Sequence, residues 1–160
     1  MTQSEVRRLA TDDWQQLREA RLAALAEAPY AFASTLGREQ QFTAQTWQER
    51  ASRGSTFGAW DGDVIVGLAT GVDEGSDWQL VGMWVSPTLR GSGVADRLVS
   101  AVCELARQSG AMSVRLWVTE ENGRARAFYR RLGFVSSGSR QLVRPEDPDR
   151  WEQELVLPLR

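Results

Sequence analysis

The stretch that decides the fold is Val85-Ser86-Pro87-Thr88-Leu89-Arg90-Gly91-Ser92-Gly93-Val94-Ala95. An apolar, strand-like segment ends here, a glycine-rich loop follows, and a helical pattern begins at Gly93. The first turn of a helix has free N–H groups and a partial positive charge, so it favours an anion. Gly91 and Gly93 allow the backbone to approach such an anion closely, and Arg90 adds a charged fork of donors. The stretch predicts a phosphate-binding turn, with a plain strand-to-helix loop as the alternative.

Two other kinds of phosphate loop do not fit this stretch. The dinucleotide-binding pattern needs a third glycine, but Asp96 stands where it would be. The loop that binds nucleoside triphosphates needs a lysine, and the chain contains none.

Strand and helix patterns extend on both sides of the loop. Apolar periodicity and turn residues predict strands at 5–9, 55–60, 64–72, 78–85, 114–118, 134–137 and 151–157, and helices at 11–28, 43–53, 93–108 and 122–132. This order predicts an α/β (α+β) protein with a mixed sheet and helices on both faces. The length of 160 residues and the absence of linkers or repeats predict one domain over 1–160.

Composition excludes several function classes. The chain has no His, which rules out a Ser-His-Asp triad and, with one Cys, the usual zinc sites. Since all 19 basic residues are Arg, a Schiff-base lysine is excluded too. The net charge of −2 gives no sign of a nucleic-acid partner. We therefore expect neither a metal nor a nucleic acid.

The sequence also predicts a location. No apolar run approaches the roughly 20 residues needed to span a bilayer, and the charged start lacks a signal-peptide core. The lone Cys103 has no partner for a disulfide within the chain, which suits a reducing compartment. We expect a cytoplasmic protein with no membrane partner.

A second motif lies some thirty residues further on, in the segment 115–134 (RLWVTEENGRARAFYRRLGF). Together with Arg90-x-x-Gly93-x-Ala95 it resembles the GCN5-related N-acetyltransferase (GNAT) family. The cradle of that family reads Arg or Gln, two residues, Gly, one residue, then Gly or Ala. Its later signature, an Asn, a Tyr seven residues on and then Gly-Phe, is matched by Asn122, Tyr129 and Gly133-Phe134. The resemblance covers 64–134 well and the two ends only by element order.

The resemblance implies a mostly antiparallel sheet of about seven strands with a V-shaped split that holds acetyl-CoA. By similarity, the backbones of Met83 and Val85 bind the pantetheine arm as an added strand would, and Asn122 and Phe128 lie beside it. The pyrophosphate is then held by the cradle, which consists of Arg90, Gly91, Ser92, Gly93, Val94 and Ala95. For Asn122 a helix N-cap and for Phe128 a core position are the structural alternatives.

The resemblance further implies N-acetyltransfer from acetyl-CoA to a primary amine, with Tyr129 as the general acid that protonates the leaving thiolate. A buried structural phenol is the alternative for Tyr129. The general base stays open, because Gln79 and Trp117 stand where many relatives have Glu. Glu39, Glu120, Glu121, a water chain or no base at all are the candidates.

The acceptor is less defined than the donor, and a small molecule, a peptide or a protein could supply the amine. The substrate candidates are Tyr30 and Phe32 as pocket walls, Glu39 as a partner of an ammonium group, and Trp117 as aromatic surface. Core aromatics and a surface Glu are the alternatives. An acyl-CoA sensor without turnover is the second hypothesis, and an interaction domain with an accidental glycine-rich loop is the third. The resemblance also suggests a homodimer, often formed through the last strands.

Overall fold

One twisted sheet organises the part of the chain that the computed structural model describes, residues 4–159. Its seven strands are β1 (Glu5–Arg8), β2 (Thr56–Asp61), β3 (Val64–Asp73), β4 (Asp77–Val85), β5 (Ser113–Thr119), β6 (Val135–Leu142) and β7 (Trp151–Pro158). They lie in the order β1-β2-β3-β4-β5-β7-β6. Every neighbouring pair is antiparallel except β4 and β5, which are parallel. The expected mixed, mostly antiparallel sheet is confirmed.

Helices cover both faces of the sheet, as predicted. They are α1 (Trp14–Glu27), α2 (Leu36–Gln40), α3 (Ala44–Ser52), α4 (Val94–Gln108) and α5 (Gly123–Arg131). On one face α4 contributes Leu98 and Val102 to a core that includes residues of β5. On the other face α1 and α3 contribute Leu17 and Trp47 to a second core. No helix within residues 4–159 is long and apolar enough to cross a membrane.

The sheet is split between β4 and β5. These strands pair only over Asp77–Gln79 and Ser113–Arg115, after which β5 continues to pair with β7 alone. The second half of β4 therefore has a paired edge toward β3 and an open edge toward β5. This is the V-shaped split that the resemblance implies.

A β-bulge lies in β4 at the point where the split opens. Thr70 of β3 pairs with Val81 and Leu68 pairs with Trp84, so two steps on β3 correspond to three on β4. Gly82 lies inside this extra step with φ of +62°, a conformation that residues with a β-carbon rarely adopt. The bulge redirects the open edge of β4 next to the split.

The structure differs from the sequence prediction at two elements. The last-but-one strand runs to Leu142 rather than ending at 137, because β6 is an edge strand paired only with β7 and most of its side chains are exposed. Such a strand needs no apolar alternation. The short helix α2 was not predicted, because its one fully buried residue is charged Glu39 rather than apolar.

Candidate functional site

Two adjoining cavities occupy the split. The inner cavity, of about 110 Å³, is lined by Ala31, Phe32, Leu80, Val81, Gly82, Met83, Leu116, Trp117, Val118, Thr119, Asn122, Ala125 and Tyr129. The outer cavity, of about 420 Å³, is lined by Glu27, Ala28, Ala31, Met83, Trp84, Val85, Arg90, Gly91, Ala95, Asn122, Arg124, Ala125, Phe128 and Tyr129. Five residues line both: Ala31, Met83, Asn122, Ala125 and Tyr129. The cavities therefore form one cleft that runs from the glycine-rich loop to the bulge in β4.

The open edge of β4 forms one wall of this cleft. The N–H of Ser86, just past the strand, donates to the carbonyl of Val66 on β3. Because successive residues of a strand direct their main-chain groups to opposite sides, Trp84 also faces β3, and Met83 and Val85 face the split. Their main-chain groups are thus available to an extended molecule lying along the strand.

The glycine-rich loop lies at the outer end of the cleft. Gly91 and Gly93 have φ of +82° and +91°, and a β-carbon built on either would meet no atom within 4 Å. Among the described residues, the N–H groups of Gly91, Gly93, Val94 and Ala95 have no hydrogen-bond partner. The loop and the first turn of α4 thus combine free main-chain donors with open space, which fits a diphosphate.

Side chains of the predicted cradle divide into two groups. Arg90, Gly91 and Ala95 line the outer cavity. The Ser92 hydroxyl instead donates to the Leu89 carbonyl, and the Val94 side chain is buried in the core. For Gly93 and Val94, only main-chain N–H groups are positioned to hold an anion, and the N–H of Ser92 donates to the Leu89 carbonyl at 3.1 Å.

Glu27 is a site residue that the sequence prediction missed. It is the last residue of α1, and its carboxylate accepts hydrogen bonds from Arg90 and from the indole N–H of Trp84, the latter at 3.1 Å. The pair with Arg90 crosses the outer cavity, 63 residues apart in sequence. Neither spacing nor composition signals such a contact.

Tyr129 lies where the two cavities meet. Its ring is buried and packs edge-on against Phe128 at 5.1 Å and Phe134 at 5.5 Å between ring centroids. Burial raises the pKa of the phenol well above its ordinary value, so the group stays protonated throughout the neutral range. The hydroxyl accordingly provides a proton donor inside the cleft.

Asn122 and Phe128 combine structural positions with contact to the cleft. The side-chain oxygen of Asn122 accepts a hydrogen bond from the Ala125 N–H at 3.1 Å and caps α5, while the residue lines both cavities. Phe128 packs against the core and also lines the outer cavity. Asn122 is therefore a helix N-cap and Phe128 a core residue, as the structural alternatives stated, and both residues also line the cleft.

Two of the four substrate candidates line the inner cavity, namely Phe32 and Trp117. Tyr30 does not. Its side chain is 72% exposed, and the Arg150 guanidinium lies 5.6 Å from its ring centroid in a separate surface depression. The structure therefore places Tyr30 and Phe32 at different depressions, with Tyr30 on the 3₁₀ turn Pro29–Ala31 outside the inner cavity.

The structure also corrects the expectation for Glu39. Its side chain is completely buried, and it accepts two hydrogen bonds from Arg21, at 2.9 and 3.0 Å, and one from Arg50 at 3.2 Å. It is thus part of an internal ion-pair network and has no surface left for a substrate ammonium group. Burial alone would raise the pKa of this carboxyl, but hydrogen bonds from Arg21 and Ser34 and the two arginine charges lower it.

The other base candidates are engaged elsewhere. Glu120 accepts two hydrogen bonds from Arg140, and Glu121 accepts one from Arg150. The residues that line the inner cavity in the described part of the chain include no carboxylate. Residues 4–159 also hold no group of three metal-ligating side chains.

Comparison with known proteins agrees with this geometry. A family model described as "Acetyltransferase (GNAT) family" matches residues 10–134. A protein named as an uncharacterized N-acetyltransferase of Methanocaldococcus jannaschii is 42% identical over 52 residues, which are 32% of this chain and 23% of that protein. One from Mycobacterium bovis is 35% identical over 77 residues, 48% of this chain and 49% of its own length. The chain therefore matches between about a quarter and half the length of these curated relatives.

A solved structure extends the likeness to the whole fold. The protein yncA from Salmonella typhimurium, solved with its cofactor acetyl-CoA, superposes with a TM-score of 0.79 at 16% identity. The superposition covers 99% of this chain and 95% of that one. At this identity the likeness concerns the fold, while the family model covers most of the chain's length. The split sheet, the glycine-rich loop and the family match together show that the chain belongs to the GNAT family of acetyltransferases.

Proposed function

We propose that this protein transfers the acetyl group of acetyl-CoA to a primary amine of a small molecule or a peptide. The observation that carries the proposal is the position of Tyr129, whose phenol lies where the outer cavity meets the inner one. A thioester that reaches this point from the glycine-rich loop would have its sulfur near a proton donor. Its carbonyl would face the inner cavity, from which the amine would approach.

The cleft offers what the coenzyme needs along its length. Free N–H groups at the start of α4 suit the diphosphate, and the outward-facing backbone of Met83 and Val85 suits the amides of pantetheine. Asn122 and Phe128 lie on the opposite wall. Arg90 would bind phosphate after exchanging its contact with Glu27 for the ligand.

In the proposed reaction the amine nitrogen attacks the carbonyl carbon of the thioester directly. The new C–N bond forms as the C–S bond breaks, and the departing sulfur takes the proton of Tyr129. The product nitrogen then loses its surplus proton to solvent, and a proton from solvent restores the phenol. Burial disfavours a free thiolate as it does a phenolate, so the hydrogen bond from the phenol stabilises the sulfur as it leaves. Most of the acceleration would come from holding amine and thioester together.

The proposal assigns no protein side chain as the general base. Since no carboxylate lines the inner cavity in residues 4–159, the amine would lose its proton to solvent before it attacks. The value of kcat/KM should then rise with pH along the titration of the amine itself. Its midpoint should move when an amine of different pKa is used.

Tyr129→Phe is expected to lower kcat about 100-fold, because it removes the proton donor and keeps the ring packing. Thiol release from acetyl-CoA measures the rate, and the melting temperature with coenzyme A reports binding, which should persist. Tyr30→Phe is the matched control, since it removes the other phenol of the chain at an exposed position. Equal rates for both variants would remove Tyr129 from the mechanism.

Substitutions of Asn122 can separate its role as the cap of α5 from its proposed role in binding coenzyme A. Asn122→Ala should cost about 1 kcal/mol of stability through loss of the cap on α5, whereas Asn122→Ser keeps a capping oxygen. Both variants lack the side-chain amide donor and should bind coenzyme A about 5-fold more weakly, as measured by calorimetry. If only the Ala variant binds weakly, the residue acts as a helix cap alone.

A second candidate function is an acyl-CoA sensor without turnover. The observation that favours it is that none of the described residues lining the inner cavity carries a carboxylate. Binding of acetyl-CoA without thiol release across a broad amine panel would support the sensor and contradict the enzyme.

A further inference from the structure

A third cavity lies against the same bulge in β4, on the face of the sheet covered by α1 and α3. We call it the arginine cavity. It measures about 230 Å³ and is lined by Leu17, Arg21, Trp47, Arg50, Arg53, Thr56, Leu68, Thr70, Val72, Val81 and Gly82. Its lining residues include three arginines, Trp47, and the two threonines Thr56 and Thr70, whose hydroxyls lie 2.9 Å apart. No acidic residue is among the described residues that line it.

The arginine side chains that line this cavity carry more positive charge than the nearby carboxylate can balance. Glu39 is the carboxylate that pairs with Arg21 and Arg50, and it lies buried behind them. Arg53 makes no ion pair or side-chain hydrogen bond within residues 4–159. In Arg21 the Nε and Nη2 atoms donate to Glu39, which leaves Nη1 without a partner in the same part of the chain. Three cations thus share one carboxylate.

Burial and the two neighbouring arginines also destabilise the charge of Arg50. Burial lowers the pKa of Arg50, and the charges of Arg21 and Arg53 lower it further against the opposing effect of Glu39. A bound anion would relieve this repulsion. A planar carboxylate would also match the donor fork of a guanidinium, whereas an additional ammonium group would be repelled.

The arginine cavity adjoins the place where acetyl transfer is proposed. Val81 and Gly82 line both it and the inner cavity. A β-carbon on Gly82 would lie 3.6 Å from Nη1 of Arg21, so the unused donor reaches the bulge. The Arg21 guanidinium also lies 4.7 Å from the ring centroid of Phe32, a wall of the inner cavity. A small molecule in the inner cavity would therefore have this cationic group beside it.

We propose that the arginine cavity binds a carboxylate of the acceptor, so that the substrate is a small amine bearing a carboxylate, that is, an amino acid. This inference rests on the proposed acetyltransferase function. Arg21 and Arg53 supply the donors, Glu39 holds Arg21 in place, and the amine lies on the inner-cavity side of Gly82. Polyamines and other purely cationic amines are poor substrates.

The test compares amino acids with their C-terminal amides, which keep the amine and lose the carboxylate charge. Thiol release from acetyl-CoA gives kcat/KM for each pair, and the acid is expected to exceed the amide at least about 10-fold for the preferred side chain. The amide has the less basic amine, which is more often neutral and ready to attack. Preference for the acid would therefore report recognition rather than reactivity.

Arg53→Gln is the variant that isolates the cavity, because Arg53 is exposed and makes no internal ion pair or side-chain hydrogen bond in residues 4–159. It should raise KM for the amino acid about 10-fold and leave kcat for the acid unchanged. The value of kcat/KM for the amide should also stay the same. Arg107→Gln on the exposed face of α4 is the control and should change neither. Equal effects of Arg53→Gln on acid and amide would overturn the carboxylate site.

Failure of this inference is distinguishable from failure of the proposed function. If amides react as well as acids, transfer stands and the carboxylate site is wrong. If no amine releases thiol, transfer is wrong, and calorimetric titration of the amino-acid panel into protein saturated with coenzyme A tests the cavity by itself. Binding that Arg53→Gln weakens about 10-fold would support the site, and absence of heat with wild-type protein would overturn it.

Discussion

Gly93→Asp is expected to abolish binding of coenzyme A while leaving the protein folded. The substitution places a carboxylate at the start of α4, beside the free N–H groups of Val94 and Ala95. Two like charges about 4 Å apart repel by about 4 kcal/mol at an effective dielectric constant of about 20. Against a diphosphate this corresponds to a loss of affinity of roughly 1,000-fold.

The matched control for this experiment is Gly93→Asn, which has the same shape without the charge. Asp and Asn both tolerate positive φ better than other side chains, and a β-carbon at Gly93 would meet open space. The two variants should therefore melt within a few degrees of each other without ligand. Coenzyme A should raise the melting temperature of the Asn variant and not of the Asp variant. If the Asp variant binds as wild type does, the diphosphate lies elsewhere.

The half of the cleft that we propose binds coenzyme A could be located from sequence because its signals are local. Glycine at positions 91 and 93 indicates a backbone that needs positive φ, and both residues have positive φ in the structure. Asn122 and Tyr129 lie on one short helix at a spacing set by its geometry. The loops that carry these residues follow the two neighbouring parallel strands β4 and β5, so chain order places them together at the carboxyl ends of these central strands.

The acceptor half was not predictable because its contacts join distant segments. The turn that carries Tyr30 is bound by Arg150, 120 residues away, which donates a hydrogen bond to the Tyr30 carbonyl. Arg144 likewise donates to the carbonyls of Phe32 and Ala33 and fixes the wall of the inner cavity. From the sequence Glu39 is either a partner of the substrate or a surface residue, and only the tertiary positions of Arg21 and Arg50 make it a buried one. Local patterns carry no information on such pairs.

Glu39→Gln is expected to destabilise the protein by about 3 kcal/mol at pH 7. The carboxylate is fully buried and bound by two arginines, so its removal leaves Arg21 and Arg50 without a counter-charge. Breaking a fully buried ion pair costs about 3–5 kcal/mol. The lower end applies here because the side chains of Arg21 and Arg50 keep 16% and 30% of their surface exposed to solvent. Glu104→Gln, which breaks an exposed pair with Arg107, is the control and should cost less than about 1 kcal/mol.

The loss of stability caused by Glu39→Gln should become smaller as the pH falls. The pKa of Glu39 is lower in the folded protein than its ordinary value, so the ionised carboxylate stabilises the fold above the unfolded pKa of about 4.3. That contribution is lost as the pH falls through the folded pKa, where wild-type Glu39 becomes neutral like Gln. Urea unfolding of both proteins between pH 7 and pH 3 should therefore show a difference that is constant above about pH 5 and shrinks below about pH 4. A difference that stays constant down to pH 3 would show that Glu39 stabilises the fold by packing rather than by its charge.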